Sequence, residues 1–432
     1  MPILQRPLSR RQLVKGAAAA AAWGSLGSMA AISRQAHAAA GDRKFLFYFA
    51  SGAWDATPLD PKFGSDGQSA VGGTDMDPGT TLGRAGNLTY SAGNDRLNMD
   101  LFFQDWYPYA TIVRGVDVHS VAHDTGMQWT LTGSTSMSAP DWPTALAARS
   151  PIAYPMPHLV FSGPNYPGTL GGAVVRAGGG TLLRLMDGSI NATADENAPA
   201  HVWAVDNMID AQVYRRGDRY GSNRTGAGRS RIDAFLASLE RSQELEGRLF
   251  EAGLSGSTNE ILDQSMMALE VMRLGLARCA MIDVPGIWDT HDDNSVVGPQ
   301  LDDFYGVLIE VMDYLSRTPG VASPTLLDEV TIVVMSEMGR TPLLNSSGGR
   351  DHWTYASQLI LSSQITGNRI LGATDDEFLA RTIDLRTGQP SASGTYLGTE
   401  HVGAALLQFG GVDSEEFLNG VEPLAGLVGE GA

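Results

Sequence analysis

Glu337, Arg340, Arg350, Asp351 and His352 crowd into the eighteen residues Ser336 to Trp353 (SEMGRTPLLNSSGGRDHW), directly after the apolar run Val330–Met335. Carboxylate oxygens and imidazole nitrogens without thiolates form a donor set suited to Zn, Mn, Mg, Ca or Fe. Three other stretches offer the same groups after an apolar run. Asp55 follows Lys44–Ala50 (KFLFYFA); Asp117, His119, His123 and Asp124 follow Thr111–Val116; Asp289, His291, Asp292 and Asp293 follow Ala280–Val284. Ligands of open α/β sheets bind beyond the carboxyl ends of the strands, so parallel strands at these runs would bring all four segments to one end of one sheet. That many carboxylates could neutralise two divalent ions.

Each group also has a plainer role open to it. Asp289-Thr290-His291 fits a helix cap ahead of an amphipathic stretch. Asp351-His352 fits a turn with an internal hydrogen bond. Glu337 fits an ion pair with Arg340, because a carboxylate directly after an apolar strand is partly desolvated unless paired. His401, ahead of the helix-like Val402–Phe409, suits either a ligand or a capping group, and His158 and His201 read as packing or surface residues.

The elements that must position these groups follow from periodicity. Lys44–Ala50, Thr111–Val116, His158–Ser162, Ala280–Val284, Val330–Met335 and Gln358–Ser362 are short apolar runs without strict alternation, as expected of strands buried on both faces of a parallel sheet. Leu301, Phe304, Tyr305, Leu308, Ile309, Met312 and Leu315 fall on one helical stripe that stops before Pro319. Arg229–Leu254 and Asn259–Arg278 read as two further helices. The alternation predicts an α/β, doubly wound, mostly parallel sheet with helices on both faces. Asp60–Asn98 reads as loop, and residues 163–260 as a partly helical insertion with a short hairpin around Gly178-Gly179-Gly180.

The first 38 residues stand apart. Ser9-Arg10-Arg11-Gln12-Leu13-Val14-Lys15, an alanine-rich stretch and Ala36-His37-Ala38 resemble a twin-arginine export signal with its cleavage site. The expected partner is the twin-arginine translocase, and the expected location is the periplasm or the exterior. Residues 39–432 then form the working chain. Removing the signal takes the formal charge from −18 to −23, which disfavours nucleic acid and anionic lipid as partners. No other segment is long and apolar enough to insert stably in a bilayer. A single cysteine, Cys279, excludes a disulfide framework or a Cys-ligated zinc site and reads as core filler.

VVMSEMGRTPLLN, GGRDHW, WDTHDDN and SGAWD together resemble the domain of unknown function 1501 family, whose members are mostly exported bacterial proteins; the resemblance runs from Phe45 to about Val412. That family is grouped with the alkaline phosphatase and sulfatase superfamily, which implies an alkaline-phosphatase-like sheet with a metal centre at the strand carboxyl ends. On that basis Asp55 matches an early Asp ligand, Asp289 and His291 a downstream pair with tighter spacing, Asp351-His352 an adjacent pair, and His401 a final histidine. His123 and Glu337 complete the expected ligands.

The superfamily nucleophile maps onto His123–Trp129, where Thr125 is the hydroxyl beside a carboxylate. No Cys-x-Pro-Ser-Arg sulfatase signature is present. The implied activity is metal-dependent hydrolysis of small anionic phosphate or sulfate esters, with Thr125 or a water attacking and Arg340 or Arg350 gripping the non-bridging oxygens. The alternative is a metal-stabilised, non-catalytic binding or assembly protein on the same scaffold.

Overall fold

The computed structural model describes residues 43–177, 203–226, 228–229, 232–233, 236 and 260–428. The expected export signal, the expected hairpin around Gly178-Gly179-Gly180, His201 and most of the expected helix Arg229–Leu254 lie outside the described residues.

Eight strands form one sheet: β1 (Lys44–Phe49), β2 (Ala110–Asp117), β3 (His158–Val160), β4 (Val174–Arg176), β5 (Cys279–Asp283), β6 (Val330–Met335), β7 (Tyr355–Leu361) and β8 (Arg369–Leu371). Their spatial order is β8-β2-β7-β6-β1-β5-β3-β4. The six apolar runs of the sequence are all strands of this sheet.

The sheet is mixed rather than uniformly parallel, because β7 runs antiparallel to both β6 and β2 while the other pairings are parallel. The reason lies between β6 and β7. Gly339–Arg340 pairs with His352–Trp353, so the chain doubles back and re-enters the sheet at the end it left. Such a return gives an antiparallel neighbour; a parallel one needs a crossover of about a dozen residues or more.

Alternate side chains of the central strands feed two cores. Leu46 and Tyr48 of β1, Ala280 and Ile282 of β5, and Ile332 and Val334 of β6 pack under helices α1 (Leu97–Trp106), α5 (Glu260–Arg273) and α6 (Val297–Arg317). Phe45, Phe47, Phe49, Cys279, Met281, Val333 and Met335 face the other way, toward α2 (His123–Thr132), α3 (Trp142–Ala148) and α7 (Thr399–Phe409). Helix α4 (Trp203–Ser222) falls within residues 163–260, the segment expected as an insertion. Burial on both faces explains why these strands read as unbroken apolar runs.

The α6 stripe is as expected: Leu301, Phe304, Tyr305, Leu308, Met312 and Leu315 are buried. Cys279 is buried in the core, and His158 sits there too, with Nδ1 2.9 Å from the Thr144 hydroxyl. Among the described residues no helix is long and apolar enough to cross a membrane.

Asp60–Asn98 is not all loop. Thr80–Ala85 and Leu88–Gly93 form a hairpin, joined by Gly86-Asn87 with Gly86 at φ +54. A positive φ at the first central residue is what a two-residue turn between twisted strands requires, and Gly-Asn is a signal for it.

Candidate metal centre

Three adjacent strands, β5, β1 and β6, end side by side, with Phe49 level with both Asp283 and Met335. The chain after each end supplies part of the site. The antiparallel course of β7 adds a fourth part, since the amino end of an antiparallel strand lies beside the carboxyl ends of its neighbours; His352 stands there, just ahead of Tyr355.

His123, Asp289 and His352 bring ligand atoms within 4.8 Å of one another. Asp289 Oδ1 is the hub, 3.6 Å from His123 Nε2, 3.3 Å from His352 Nε2 and 3.2 Å from His291 Nε2. His291 Nε2 and His352 Nε2 are 2.9 Å apart.

The far nitrogen of each ring fixes its tautomer. His352 Nδ1 donates to the Val121 carbonyl at 2.7 Å, His123 Nδ1 to Glu337 Oε1 at 2.7 Å, and His291 Nδ1 to Asp351 Oδ1 at 2.9 Å. A carbonyl or carboxylate only accepts, so in each neutral ring the proton sits on Nδ1 and the lone pair on Nε2. Three lone pairs and one carboxylate oxygen therefore converge, an arrangement that wants a cation. Metal-ligating histidines are oriented in this way, by carboxylates or carbonyls on the second nitrogen. Zn–N and Zn–O bonds of ~2.0–2.1 Å at tetrahedral angles put ligand atoms about 3.3 Å apart, which matches the distances around Asp289. The donor set fits a divalent ion.

Glu337 is fully buried and stands behind His123 rather than in the cluster. Its Oε1 also accepts the Gly52 N–H at 2.7 Å, and its Oε2 lies 2.9 Å from the Ser336 hydroxyl. Gly52 has φ +118, and a Cβ there would lie 3.0 Å from the Asp289 nitrogen, so only glycine lets this turn reach both partners.

Asp351 likewise backs His291. The hydrogen bond from His291, then that from Asn345, holds its carboxyl below the ordinary range. Gly349 makes this contact possible: a Cβ would sit 2.2 Å from the His291 carbonyl carbon and oxygen.

Both arginines expected to grip an anion are fully buried and engaged with the protein itself. Arg340 donates from Nε to the Ala53 carbonyl at 2.7 Å, from Nη1 to the Arg350 carbonyl at 3.1 Å, and from Nη2 to the Gly52 carbonyl and to Asp289 Oδ1 at 2.6 Å. Desolvation would raise the Asp289 carboxyl, but the hydrogen bond and charge of Arg340 hold the group below the ordinary range.

Arg350 pairs with Asp55 Oδ2 at 3.0 Å and donates to the carbonyls of Thr341, Pro342 and Asp75. Asp55, expected as a ligand, is thus placed in a buried network with Arg350 and Asn294 instead of in the cluster. The guanidinium forks are used to knit the carbonyl-rich loops together, which leaves neither side chain free to meet an anion.

His401 is also placed elsewhere, with Nδ1 donating to the Glu422 carbonyl at 2.6 Å. Thr125 is exposed in the first turn of α2, two residues after His123 and so about 200° around the helix from it. The face that carries His123 meets Glu337: a Cβ on Gly126 would lie 2.8 Å from the Glu337 carbonyl. Asp289 does not cap α6, which begins only at Val297. The Val121 carbonyl was not foreseen; a main-chain acceptor leaves no mark in residue type.

The profile of the family described as a protein of unknown function, DUF1501, matches residues 108–383. This chain belongs to that family. No curated protein matches the DUF1501 chain. Among solved structures it is similar to the PsFucS1 sulfatase from Pseudoalteromonas sp., at 10% identity and a TM-score of 0.37, over 92% of this chain and 75% of that one. It is also similar to BT4656, solved in complex with its substrate D-glucosamine-2-N,6-O-disulfate, at 10% identity and a TM-score of 0.31, over 88% of this chain and 81% of that one.

Proposed function

We propose that this DUF1501 chain is an exported, metal-dependent hydrolase of phosphate or sulfate esters on an alkaline-phosphatase-like scaffold. The observation that supports it is the convergence of His123, His291 and His352 Nε2 on Asp289 Oδ1, with every Nδ1 proton spent on an acceptor outside the cluster.

His123, Asp289 and His352 would hold a divalent ion, with His291 as the further donor. When bound there, the ion would supply Lewis-acid polarisation of an ester oxygen. The chain does the rest by orientation: Glu337, Asp351 and the Val121 carbonyl aim the imidazoles, and Arg340 keeps Asp289 ionised. Half-exposed Asp289 and part-exposed His291 leave the cluster open to a substrate from solvent. With Arg340 and Arg350 committed to the fold, the recognition of an anionic ester falls to the metal centre itself.

A second reading, a metal-stabilised binding or assembly protein, is favoured by that same commitment of both arginines, and by the placement of Thr125 away from the face of α2 that meets Glu337. Turnover of p-nitrophenyl phosphate and p-nitrophenyl sulfate, measured for metal-loaded wild type and Thr125→Ala and for His352→Ala with its metal content determined alongside, separates the two. Turnover in wild type that is lost with His352 supports the hydrolase. Full metal occupancy with no turnover of either ester supports the binding protein.

A further inference from the structure

A charged cluster that plays no part in the coordination described above holds the segment carrying Val121 and His123 from behind. After β2 the chain leaves the sheet at Asp117 and turns through His119, whose φ of +56 is unusual for a residue with a Cβ. Asp117 Oδ1 accepts the His119 N–H at 2.8 Å and also bonds the Thr354 hydroxyl, while Oδ2 lies 3.4 Å from His119 Nδ1. His119 Nε2 meets Glu400 Oε2 at 3.0 Å, in the first turn of α7. Trp129 of α2 lies edge-on against the same ring, with centroids 4.9 Å apart.

The hydrogen bond to Asp117, then that to Glu400, pushes the imidazole up to about 10. His119 is therefore an imidazolium at neutral pH, tied to three elements at once. Two residues on, the Val121 carbonyl accepts the hydrogen bond from His352 Nδ1; four residues on stands His123. Where His119 is pinned decides where both of them stand.

We propose that His119, clamped between Asp117 and Glu400, is a positioning residue that holds segment 119–123 where the Val121 carbonyl and His123 serve the metal centre. This rests on the metal-centre reading above. The clamp touches neither metal nor substrate, and acts through the tautomer and placement of two ligands.

The test is a competition titration of Zn²⁺ against a chromophoric chelator, with far-UV circular dichroism confirming the fold of each variant. Wild type is compared with His119→Asn, Glu400→Gln, His123→Ala and the double variant His119→Asn/His123→Ala. Asparagine tolerates a positive φ, so His119→Asn removes the clamp without adding strain. It should weaken Zn²⁺ binding about tenfold, the lower end of the ~10–100-fold effect of outer-shell partners. Glu400→Gln keeps an acceptor for His119 and should weaken binding less.

In the His123→Ala background the logarithm of the His119→Asn effect should shrink by at least half, because one of the two ligands it places is gone. An unchanged Kd in folded His119→Asn, or an equal effect with and without His123, overturns the proposal. If His119→Asn does not fold, an unchanged Kd in Glu400→Gln overturns it in the same way. Wild type that takes up no Zn²⁺ overturns the metal centre and this proposal with it, an outcome distinct from normal uptake with an indifferent His119.

Discussion

Replacing Arg340 by methionine separates a structural arginine from one that binds substrate. Methionine keeps a long unbranched stem in the same space, while the carbonyls of Gly52, Ala53 and Arg350 lose the donors of a fully buried side chain. An acceptor stranded in this way costs about 1–3 kcal/mol. Taking the lower value for all three gives a loss of about 3 kcal/mol, without counting the bond to half-exposed Asp289, where solvent screening leaves little. For a chain of this length a urea dependence of about 3 kcal/mol per molar is reasonable, so the unfolding midpoint should fall by about 1 M.

Tryptophan fluorescence is a direct assay, because buried Trp54 follows Ala53 in the turn that Arg340 holds and packs edge-on against Trp288 at 6.4 Å. A midpoint equal to that of wild type, together with lost ester turnover, would refute the reasoning and return Arg340 to the anion-gripping role its position in the sequence suggests.

Other perturbations have equally definite outcomes. Glu337→Gln removes the charge behind His123 and should weaken Zn²⁺ binding about 10–100-fold in a competition titration; unchanged affinity would mean that the buried carboxylate does not orient that ring. Gly349→Ala must displace the 341–351 loop from His291, since its Cβ would lie 2.2 Å from main-chain atoms, and should lose bound metal by elemental analysis. Gly348→Ala, with φ +82 and no atom within 4 Å, is the control: it should cost only the backbone strain of about 1–2 kcal/mol in urea unfolding and keep its metal.

His119 carries a stability signature of its own. Its folded-state value is raised to about 10 by Asp117 and Glu400, so its contribution is complete below an unfolded value of about 6.5 and disappears as pH rises through about 10. The melting temperature of wild type should therefore fall between pH 6.5 and 10 by more than that of His119→Asn; parallel curves would contradict the clamp.

The sheet was readable in the sequence because strands such as Phe45–Phe49 and Val330–Met335 are apolar on both faces and have no other place to go. The direction of β7 was not, since it depends on the pairing of Gly339–Arg340 with His352–Trp353, a contact that apolar periodicity does not encode. Asp289, His123 and His352 were legible as candidates from their types and from their positions after strand ends, and their ligand atoms lie within 4.8 Å of one another.

The roles of the remaining charged residues could not be read in that way. Asp55 and Asp289 both follow central strands and look alike in the sequence; one faces buried Arg350 and the other the histidines, a choice made by the course of the intervening loops. Arg340 and Arg350 look like anion ligands by type, yet the turn at Gly52-Ala53 and the loop at Thr341-Pro342 leave carbonyls that need donors, and these two side chains supply them.

Elemental analysis of the protein, purified without chelator, tests the centre most directly when wild type and His352→Ala are compared at equal fold by circular dichroism. Bound Zn, Mn, Fe, Ca or Mg at about one equivalent in wild type, lost in the variant, is the result the converging lone pairs of His123, His291 and His352 require. Folded wild type that carries no metal, and takes up none when Zn²⁺ or Mn²⁺ is added, would contradict the metal centre.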